Sequence, residues 1–220
     1  MKKVTQKTKK TRERLVDAAV FLFWEKGYGG TGLAEILARA QVNSGSFYYF
    51  FESKEELLLA VLDWYQESLE PVLLAPVLAQ TDDPIERIFT LLAGYRRSIL
   101  MTEFGFGCPI GRLALEIDPA MKEVHNKLSA NFDGWEVAVE SFLKDAGERI
   151  PAAVDRKRLS RFVLSVMEGG VMLSRSHKSV DPFDDAVADL RAYFDLLLAG
   201  HKGKDQEAPV ARRTGKREKK

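Results

Sequence analysis

The chain has 220 residues, of which 45% are hydrophobic and 30% charged, a composition typical of an ordinary globular protein. Its longest apolar runs fall far short of the ~18 residues that a membrane span requires, so we expect a cytoplasmic protein with no membrane partner. Cys108 is the only cysteine, which excludes an intramolecular disulfide and a four-cysteine metal site.

The formal net charge is +1, but the charges are unevenly distributed. Residues 1–50 hold nine Lys and Arg against four Asp and Glu, and residues 201–220 hold eight against three, so each end carries +5. Residues 51–200 hold sixteen basic against twenty-five acidic residues, a net charge of −9. Basic ends around an acidic middle fit a terminal segment that meets a polyanion, and they equally fit solvated tails on a neutral protein.

Hydrophobic periodicity predicts an all-α fold, because apolar residues recur at helical spacing and no segment alternates with period two. The first helix is expected over residues 11–26, where Gly27 ends it, after a basic disordered arm over residues 1–10. Thr31 is placed to cap a second helix that ends near Ala40, and Asn43 to cap a short third helix, Ser44 to Phe50.

Further cap signals continue along the chain. Ser53 and Glu56 fit a capping box at the start of a long fourth helix, which Pro71 and Pro76 bend or end. Other helix starts are predicted at three Asp-Pro pairs and after Pro151 or Asp155; the pairs are Asp83-Pro84, Asp118-Pro119 and Asp181-Pro182. Gly200 is expected to close the last helix, and the Lys- and Arg-rich residues 201–220 are expected to be disordered.

Residues 31–50 combine a helix, a turn of three or four residues and a second short helix that begins with small polar residues. This is the pattern of a helix-turn-helix, whose second helix enters the major groove of DNA. Ser44, Gly45 and Ser46 would let the backbone approach phosphate. Tyr48 and Tyr49 are expected to project outward, while Phe47 and Phe50 or Phe51 pack inward.

The same region resembles the TetR family of bacterial transcriptional repressors. The resemblance runs from Thr11 to about Leu62 and is carried above all by residues 42–57, VNSGSFYYFFESKEEL. The departures from the family pattern are Ser44 in place of a common Lys, Gln41 in place of a turn Gly, and Phe50 in place of His or Tyr. The basic arm, with Lys2, Lys3, Lys7, Lys9 and Lys10, is expected to compensate for the missing lysine.

The resemblance implies a three-helix DNA-binding domain over residues 11–53, a larger helical domain for effector binding and dimerisation over residues 54–200, and no catalysis or cofactor. The implied partners are a double-stranded DNA operator, a second copy of the chain and an unknown small-molecule effector. The residues implied for DNA binding are Thr31, Asn43, Ser44, Gly45, Ser46, Tyr48, Tyr49 and Lys54, the last as a phosphate contact.

Residues 107–116, GCPIGRLALE, look like a stretch found in part of the same family, with Arg112 in place of the usual Asn. The resemblance implies an effector pocket in the middle of the chain. Its candidate lining residues, each of which could instead belong to the core, are Phe89, Tyr95, Phe104, Cys108, Trp135, Met167 and Met172. The candidate dimer contacts, in the last two helices, are Phe162, Val166, Gly169, Gly170, Leu190, Phe194 and Leu197.

Two alternatives stay open beside an effector-released repressor. Cys108 at a helix start could be a thiol that senses electrophiles or oxidants, or simply a small buried hydrophobe. The chain could also bind a small molecule while its helix-turn-helix is vestigial. His125 and His177 lack partners at metal-ligand spacing, so no metal site is predicted.

Overall fold

The computed structural model describes residues 6–202, which form helices joined by short loops with no β-strand among them. The predicted all-α fold class is therefore confirmed. The helices are α1 (Gln6–Lys26), α2 (Leu33–Ala40), α3 (Ser44–Phe50), α4 (Lys54–Ser68), α5 (Ala75–Leu78), α6 (Pro84–Met101), α7 (Pro109–Glu116), α8 (Lys122–Asp145), α9 (Arg156–His177) and α10 (Asp181–Lys202). None of these described helices is both long enough and apolar enough to cross a bilayer.

A first hydrophobic core joins α1, α2 and α3 to α4. Leu15 of α1, Ile36 of α2, Phe47 of α3 and Leu57 of α4 are all fully buried in it. The same core continues into α7 and the first half of α8, where Leu113 and Val124 are buried. The helix-turn-helix therefore packs directly on the helices that follow it.

A second core is formed by α6, α8, α9 and α10. Phe89 of α6 packs edge-on against Phe194 of α10, with ring centroids 5.5 Å apart. Gly170 of α9 lets α10 approach closely, because a Cβ at this position would lie 2.9 Å from Cδ2 of Phe183. These contacts make α9 and α10 a tightly packed pair.

Four of the predicted helix caps are confirmed. Asn43 accepts a hydrogen bond from the Ser46 N–H, and Ser53 accepts one from Glu56. Asp83 and Asp155 cap α6 and α9 in the same way. The capping box at Ser53 is shifted, because the Glu56 carboxylate accepts from the N–H of Glu52 rather than that of Ser53.

Four other local predictions are wrong. Helix α1 begins at Gln6, so residues 6–10 extend it, while residues 1–5 of the predicted arm lie outside the described residues. Gly32, not Thr31, is the N-cap of α2. Asp118 accepts from the Ala120 N–H in a turn, and the next helix starts only at Lys122. Gly200 lies inside α10, which runs to Lys202, and residues 203–220 lie outside the described residues.

A π-helical segment, Leu69–Leu74, joins α4 to α5. Its wider turn is visible in the hydrogen bond from the Ala75 N–H to the Glu70 carbonyl, five residues back. Pro71 lies within this segment, and a proline has no N–H to donate and crowds the carbonyl four residues before it. The predicted bend at Pro71 is therefore a widening of the helix rather than a break.

Candidate functional site

The outer face of α3 presents two tyrosines to solvent. Tyr48 and Tyr49 are 59% and 60% exposed, whereas Phe47 and Phe51 are buried below them. Phe47 contacts Phe51 and the edge of Tyr48, so the buried aromatics hold the exposed ones in place. The predicted division into inward and outward aromatics is confirmed for these four residues.

The leading turn of α3 is open. Ser44 and Gly45 are exposed, and Asn43 uses its carbonyl oxygen, 2.8 Å from the Ser46 nitrogen, to cap the helix. The amide nitrogen of Asn43 and the hydroxyl of Ser44 remain on the surface as hydrogen-bonding groups. A slim helix N-terminus with these groups can lie against a phosphate backbone.

The turn before α3 holds a non-glycine residue in a left-handed conformation. Gln41 has a φ of 52° at the C-cap of α2, where a glycine would be relaxed. Arg14 of α1 compensates for this strain by donating to the carbonyl of Gln41 at 2.7 Å and to that of Ala40. The guanidinium therefore ties α1 to the turn that orients α3.

Thr31 does not belong to this exposed surface. Its side chain is 1% exposed, and its hydroxyl donates to the carbonyl of Gly27 at 2.7 Å. The hydroxyl is used in a hydrogen bond to a backbone carbonyl at the carboxyl end of α1 and cannot reach DNA. The prediction that Thr31 contacts DNA is therefore wrong.

Lys54, predicted as a phosphate contact, holds the loop that follows α1. Its ammonium donates to the carbonyls of Tyr28 and Thr31 at 2.9 and 3.0 Å and lies 4.0 Å from the Tyr28 ring centroid. Partial burial lowers the pKa of Lys54 below its ordinary value. The ammonium has three N–H groups, so one donor is left for a phosphate after these two bonds.

A cavity of about 340 Å³ lies between α1, α4, α6, α7, α8 and α9. Its lining is mostly apolar and rich in aromatic side chains, a composition that suits a drug-sized organic ligand. Four of the residues predicted for the effector line it: Tyr95, Cys108, Trp135 and Met167.

The other three predicted effector residues do not line the cavity. Phe89 is buried in the second core, where the Arg191 guanidinium stacks 3.4 Å from its ring centroid. Phe104 packs against the same core with a φ of 63°, and Met172 is 58% exposed on the outside of α9. Helical periodicity marks all three as apolar but does not show which face of each helix meets the cavity.

The sequence-based prediction missed the lining residues from α1 and α4 and the one charged lining residue. Trp24 of α1, Trp64 and Tyr65 of α4, and Glu168 of α9 all line the cavity. The sequence did contain a sign that Glu168 could line the cavity, since it follows Met167 directly within an apolar stripe and precedes two glycines. It contained no such sign for Trp24, because the position of Trp24 at the cavity depends on how α1 packs against α7.

The ionisable groups that line the cavity are acids held in largely apolar surroundings. Burial raises the pKa of the Cys108 thiol well above its ordinary value, and the neighbouring Glu168 carboxyl raises it further. Burial likewise raises the pKa values of Tyr95 and Glu168. One oxygen of Glu168 is buried with no hydrogen-bond partner in the described part of the chain. It is free to meet a polar atom of a ligand.

Replacing Glu168 with glutamine is expected to stabilise the protein at neutral and alkaline pH. The folded state raises the pKa of this carboxyl, so ionising it costs folding free energy as the pH rises through the folded pKa. Below the unfolded pKa both states hold the proton and the penalty disappears. Thermal unfolding should therefore show a higher Tm for the variant near pH 8 and little difference near pH 4. An unchanged Tm near pH 8 would show that the carboxylate is well solvated.

Helix α7 connects the cavity to the carboxyl end of α1. Arg112 pairs with Glu116, with Nε and Oε1 2.9 Å apart, and donates to the Glu25 carbonyl at 3.0 Å. At the other end of α7 the Trp24 indole donates to the carbonyl of Gly107, which lines the cavity, at 2.6 Å. These hydrogen bonds tie the cavity wall at Gly107 and the middle of α7 to the end of α1.

The outer face of α9 and α10 is apolar and lies around a shallow groove. Phe162 and Leu173 of α9 are 47% and 45% exposed, and Leu196 of α10 is 73% exposed. Of the predicted dimer contacts, Phe162, Val166, Gly169, Gly170 and Leu190 line the groove, although Gly170 and Leu190 are themselves buried within the subunit. Phe194 is fully buried inside the subunit and is not available to a partner, so that prediction is wrong; Leu197 packs partly against the second core.

The chain is similar to known protein families over most of its length. The family model described as "Bacterial regulatory proteins, tetR family" matches residues 15–61. A second model, "Transcriptional regulator LmrA/YxaF-like, C-terminal domain", matches residues 84–189.

Individual relatives match between 78% and 87% of the chain. The HTH-type transcriptional regulator LmrA of Bacillus subtilis (strain 168) is 30% identical over 173 residues, which are 78% of this chain and 90% of the relative. The HTH-type transcriptional repressor DhaR of Mycobacterium sp. (strain GP1) is 28% identical over 189 residues, 85% of this chain and 92% of the relative. A TetR transcriptional regulator of known structure from Chloroflexus aurantiacus J-10-fl is 31% identical with a TM-score of 0.76, covering 87% of this chain and 97% of the other.

Proposed function

Because the chain belongs to the TetR family of bacterial transcriptional regulators, we propose that it is a repressor that binds a pseudo-palindromic operator as a dimer and leaves it when a small molecule fills the cavity. We assign DNA binding to residues 11–53 and effector binding and dimerisation to residues 54–200. The observation that carries the proposal is the exposed tyrosine pair on α3, held by a buried aromatic layer above a separate apolar cavity.

In the proposed complex α3 enters the major groove. The helix itself carries no charged side chain, so Tyr48 and Tyr49 supply hydroxyls for phosphate and ring surface for sugar or thymine methyl groups. Asn43, Ser44, Gly45 and Ser46 lie at the helix end that approaches the backbone, and Lys54 offers its remaining N–H to a phosphate. The charge needed for affinity then comes from Lys54 and the basic amino-terminal residues.

The apolar face of α9 and α10 is the proposed dimer interface. Phe162 of α9 and Tyr193 of α10 pack against each other with ring centroids 5.9 Å apart and form one continuous exposed surface. Exposed apolar patches of this kind mark interaction sites, and a two-fold axis through this one would pair identical surfaces. Two recognition helices would then read half-sites about 34–36 Å apart, or a multiple of that spacing.

Release follows from unequal binding of the ligand to the two arrangements of the dimer, because a ligand with equal affinity for both shifts nothing. Two routes lead from the cavity to α3. Helix α4 runs from the Ser53 cap to cavity-lining residues near Ser68, and α7 ties the cavity to the end of α1 through Gly107 and Arg112. A ligand that tilts either helix changes the spacing of the two recognition helices.

The proposal is tested by the salt dependence of duplex binding, using duplexes selected from a random pool. Tyr48→Ala should weaken binding to many duplexes by about five- to tenfold and leave the salt slope unchanged, because a neutral hydroxyl releases no counterion. Lys54→Ala should weaken binding and lower the slope by about one. Lys122→Ala removes an exposed lysine far along the chain on α8 and should change neither quantity.

Helical content measured by circular dichroism must be unchanged in each variant, since Lys54 also holds a loop. If folded Lys54→Ala protein kept the affinity and the slope, α4 would not face the backbone. A wild-type protein that binds no duplex above background would leave the alternative of a small-molecule binding protein with a vestigial helix-turn-helix.

The thiol-sensor alternative has little support. Reactive cysteines are partly exposed and have a lowered pKa, whereas Cys108 is buried and its pKa is raised by that burial. Its sulfur accepts a hydrogen bond from the Gly111 N–H at 3.5 Å, which makes it the cap of α7. We therefore assign Cys108 to the lining and the helix cap.

A further inference from the structure

A single side chain that can carry a full charge at neutral pH lines the cavity, and it is acidic. Glu168 is the only Asp, Glu, Lys, Arg or His among the residues that line the cavity. One of its carboxyl oxygens is buried without a hydrogen-bond partner, and the other packs against Gly111, where a Cβ would lie 2.3 Å away. The carboxyl is therefore fixed between α7 and α9 with one acceptor unused.

No basic side chain among the described residues neutralises this carboxyl. Arg112 of α7 pairs with Glu116. Arg175 of α9 is not among the lining residues; it donates to the Gly105 carbonyl at 3.1 Å, and its Nε is buried without a hydrogen-bond partner. The groups that do face Glu168 are the Cys108 thiol, which hydrogen-bonds to the carboxyl, and, across the cavity, the Tyr95 phenol, both of them acids. A carboxylate with no opposite charge beside it in an apolar cavity is costly, and burial accordingly raises the pKa of Glu168.

The rest of the lining suits a positive charge. Trp64, Tyr95, Phe132 and Trp135 present aromatic surface to the same cavity as Glu168. The faces of aromatic rings attract cations, most strongly where water is excluded, and several rings together form the usual site for quaternary ammonium groups.

We propose that the cavity takes a lipophilic organic cation, an aromatic amine or quaternary ammonium compound, and that Glu168 is its counter-charge. This inference rests on the proposed function of the cavity as the effector site. An anion would meet an uncompensated carboxylate with no basic group to bind it. A neutral molecule would fill the space but leave the buried charge unpaired. The net charge of −9 over residues 51–200 also favours the approach of cations over anions.

Three probes of the same shape and different charge test the inference. Benzyltrimethylammonium is the cation and benzylsulfonate is the anion. Benzyldimethylcarbinol is the neutral probe, in which a carbon stands in place of the charged nitrogen and a hydroxyl in place of one methyl group. Each is titrated into the wild-type protein by calorimetry at constant ionic strength. The cation should bind at least about tenfold more tightly than the carbinol, as expected for a charge-assisted contact, and the sulfonate should bind more weakly than the carbinol.

Glu168→Gln removes the charge and keeps the shape, and it should abolish the preference for the cation while leaving the affinity for the carbinol within about twofold. Glu123→Gln removes the same charge from an exposed position on α8 and should leave all three affinities unchanged. Equal affinities of the cation and the carbinol in the wild type would overturn the inference, and so would binding of none of the probes or a preference for the sulfonate.

A failure of the proposed function would give a different result from a failure of the inference about charge. If the cation binds through Glu168 but does not change the affinity for a selected duplex, the ligand class stands and effector release is refuted. If the carbinol binds as well as the cation and releases the duplex, the cavity is an effector site and the inference about charge is refuted.

Discussion

Replacing Phe194 with aspartate is expected to unfold the protein. Phe194 is fully buried in α10 and packs edge-on against Phe89, so the change removes a large side chain and places a carboxylate in the second core. Loss of a buried phenylalanine alone costs about 3–5 kcal/mol, and an unpaired buried charge adds several more. Since domains are stable by only about 5–15 kcal/mol, little folded protein should remain.

Circular dichroism during thermal unfolding measures this effect directly. The cooperative transition should be lost or shifted far down in Phe194→Asp, with aggregation on expression as an accompanying result. Phe194→Leu keeps the site apolar and should retain a cooperative transition at a lower temperature. A folded monomer with the wild-type Tm from Phe194→Asp would mean that Phe194 faces a partner rather than the core.

Replacing Leu196 with aspartate, two residues further along the same helix, should leave the subunit folded but break the dimer. Leu196 is 73% exposed, so the isolated subunit loses almost no packing and keeps its Tm. In a two-fold dimer the substitution enters the interface twice, and two carboxylates must be buried without partners. We expect the dissociation constant of the dimer to rise at least about a hundredfold and operator binding to be lost with it.

Sedimentation at micromolar concentration distinguishes the two states. The wild type should sediment as a dimer and Leu196→Asp as a folded monomer. Leu115→Asp is the matched control, because Leu115 is 82% exposed on α7 and lies outside the proposed interface. A wild-type monomer, or a dimer that Leu196→Asp leaves intact, would contradict the assignment of the α9 and α10 face.

Local signals allowed much of the fold to be predicted. The caps at Asn43, Ser53, Asp83 and Asp155 depend on one side chain and the backbone within three residues, so the sequence contains all that is needed. Asp118 shows the limit of this reasoning. The same Asp-Pro pair also closes a turn, and only the chain beyond it decides which structure forms.

Predicting the sites was harder because they combine distant segments. Tyr48 and Phe47 could be assigned outward and inward because a short helix with one packed side has a simple period. Phe194 and Leu196 are two residues apart and therefore point about 200° apart around α10, and the sequence marks both as apolar without showing which of the two faces the core. Their separation depends on where α6 and α9 pack. The contribution of Glu168 to the cavity likewise depends on how α7 crosses α9.

The π-helical segment between α4 and α5 can be understood as the mark of a one-residue insertion. An α-helix gains one residue per turn when it becomes a π-helix, so deleting a single residue within Leu69–Leu74 would restore ordinary helical winding. Residues downstream would then rotate by about 100° about the helix axis. Leu69, Val72 and Leu73 line the cavity, so such a deletion would replace part of its wall without changing any side chain elsewhere. The winding of this one turn therefore determines which side chains of Leu69–Leu74 face the cavity.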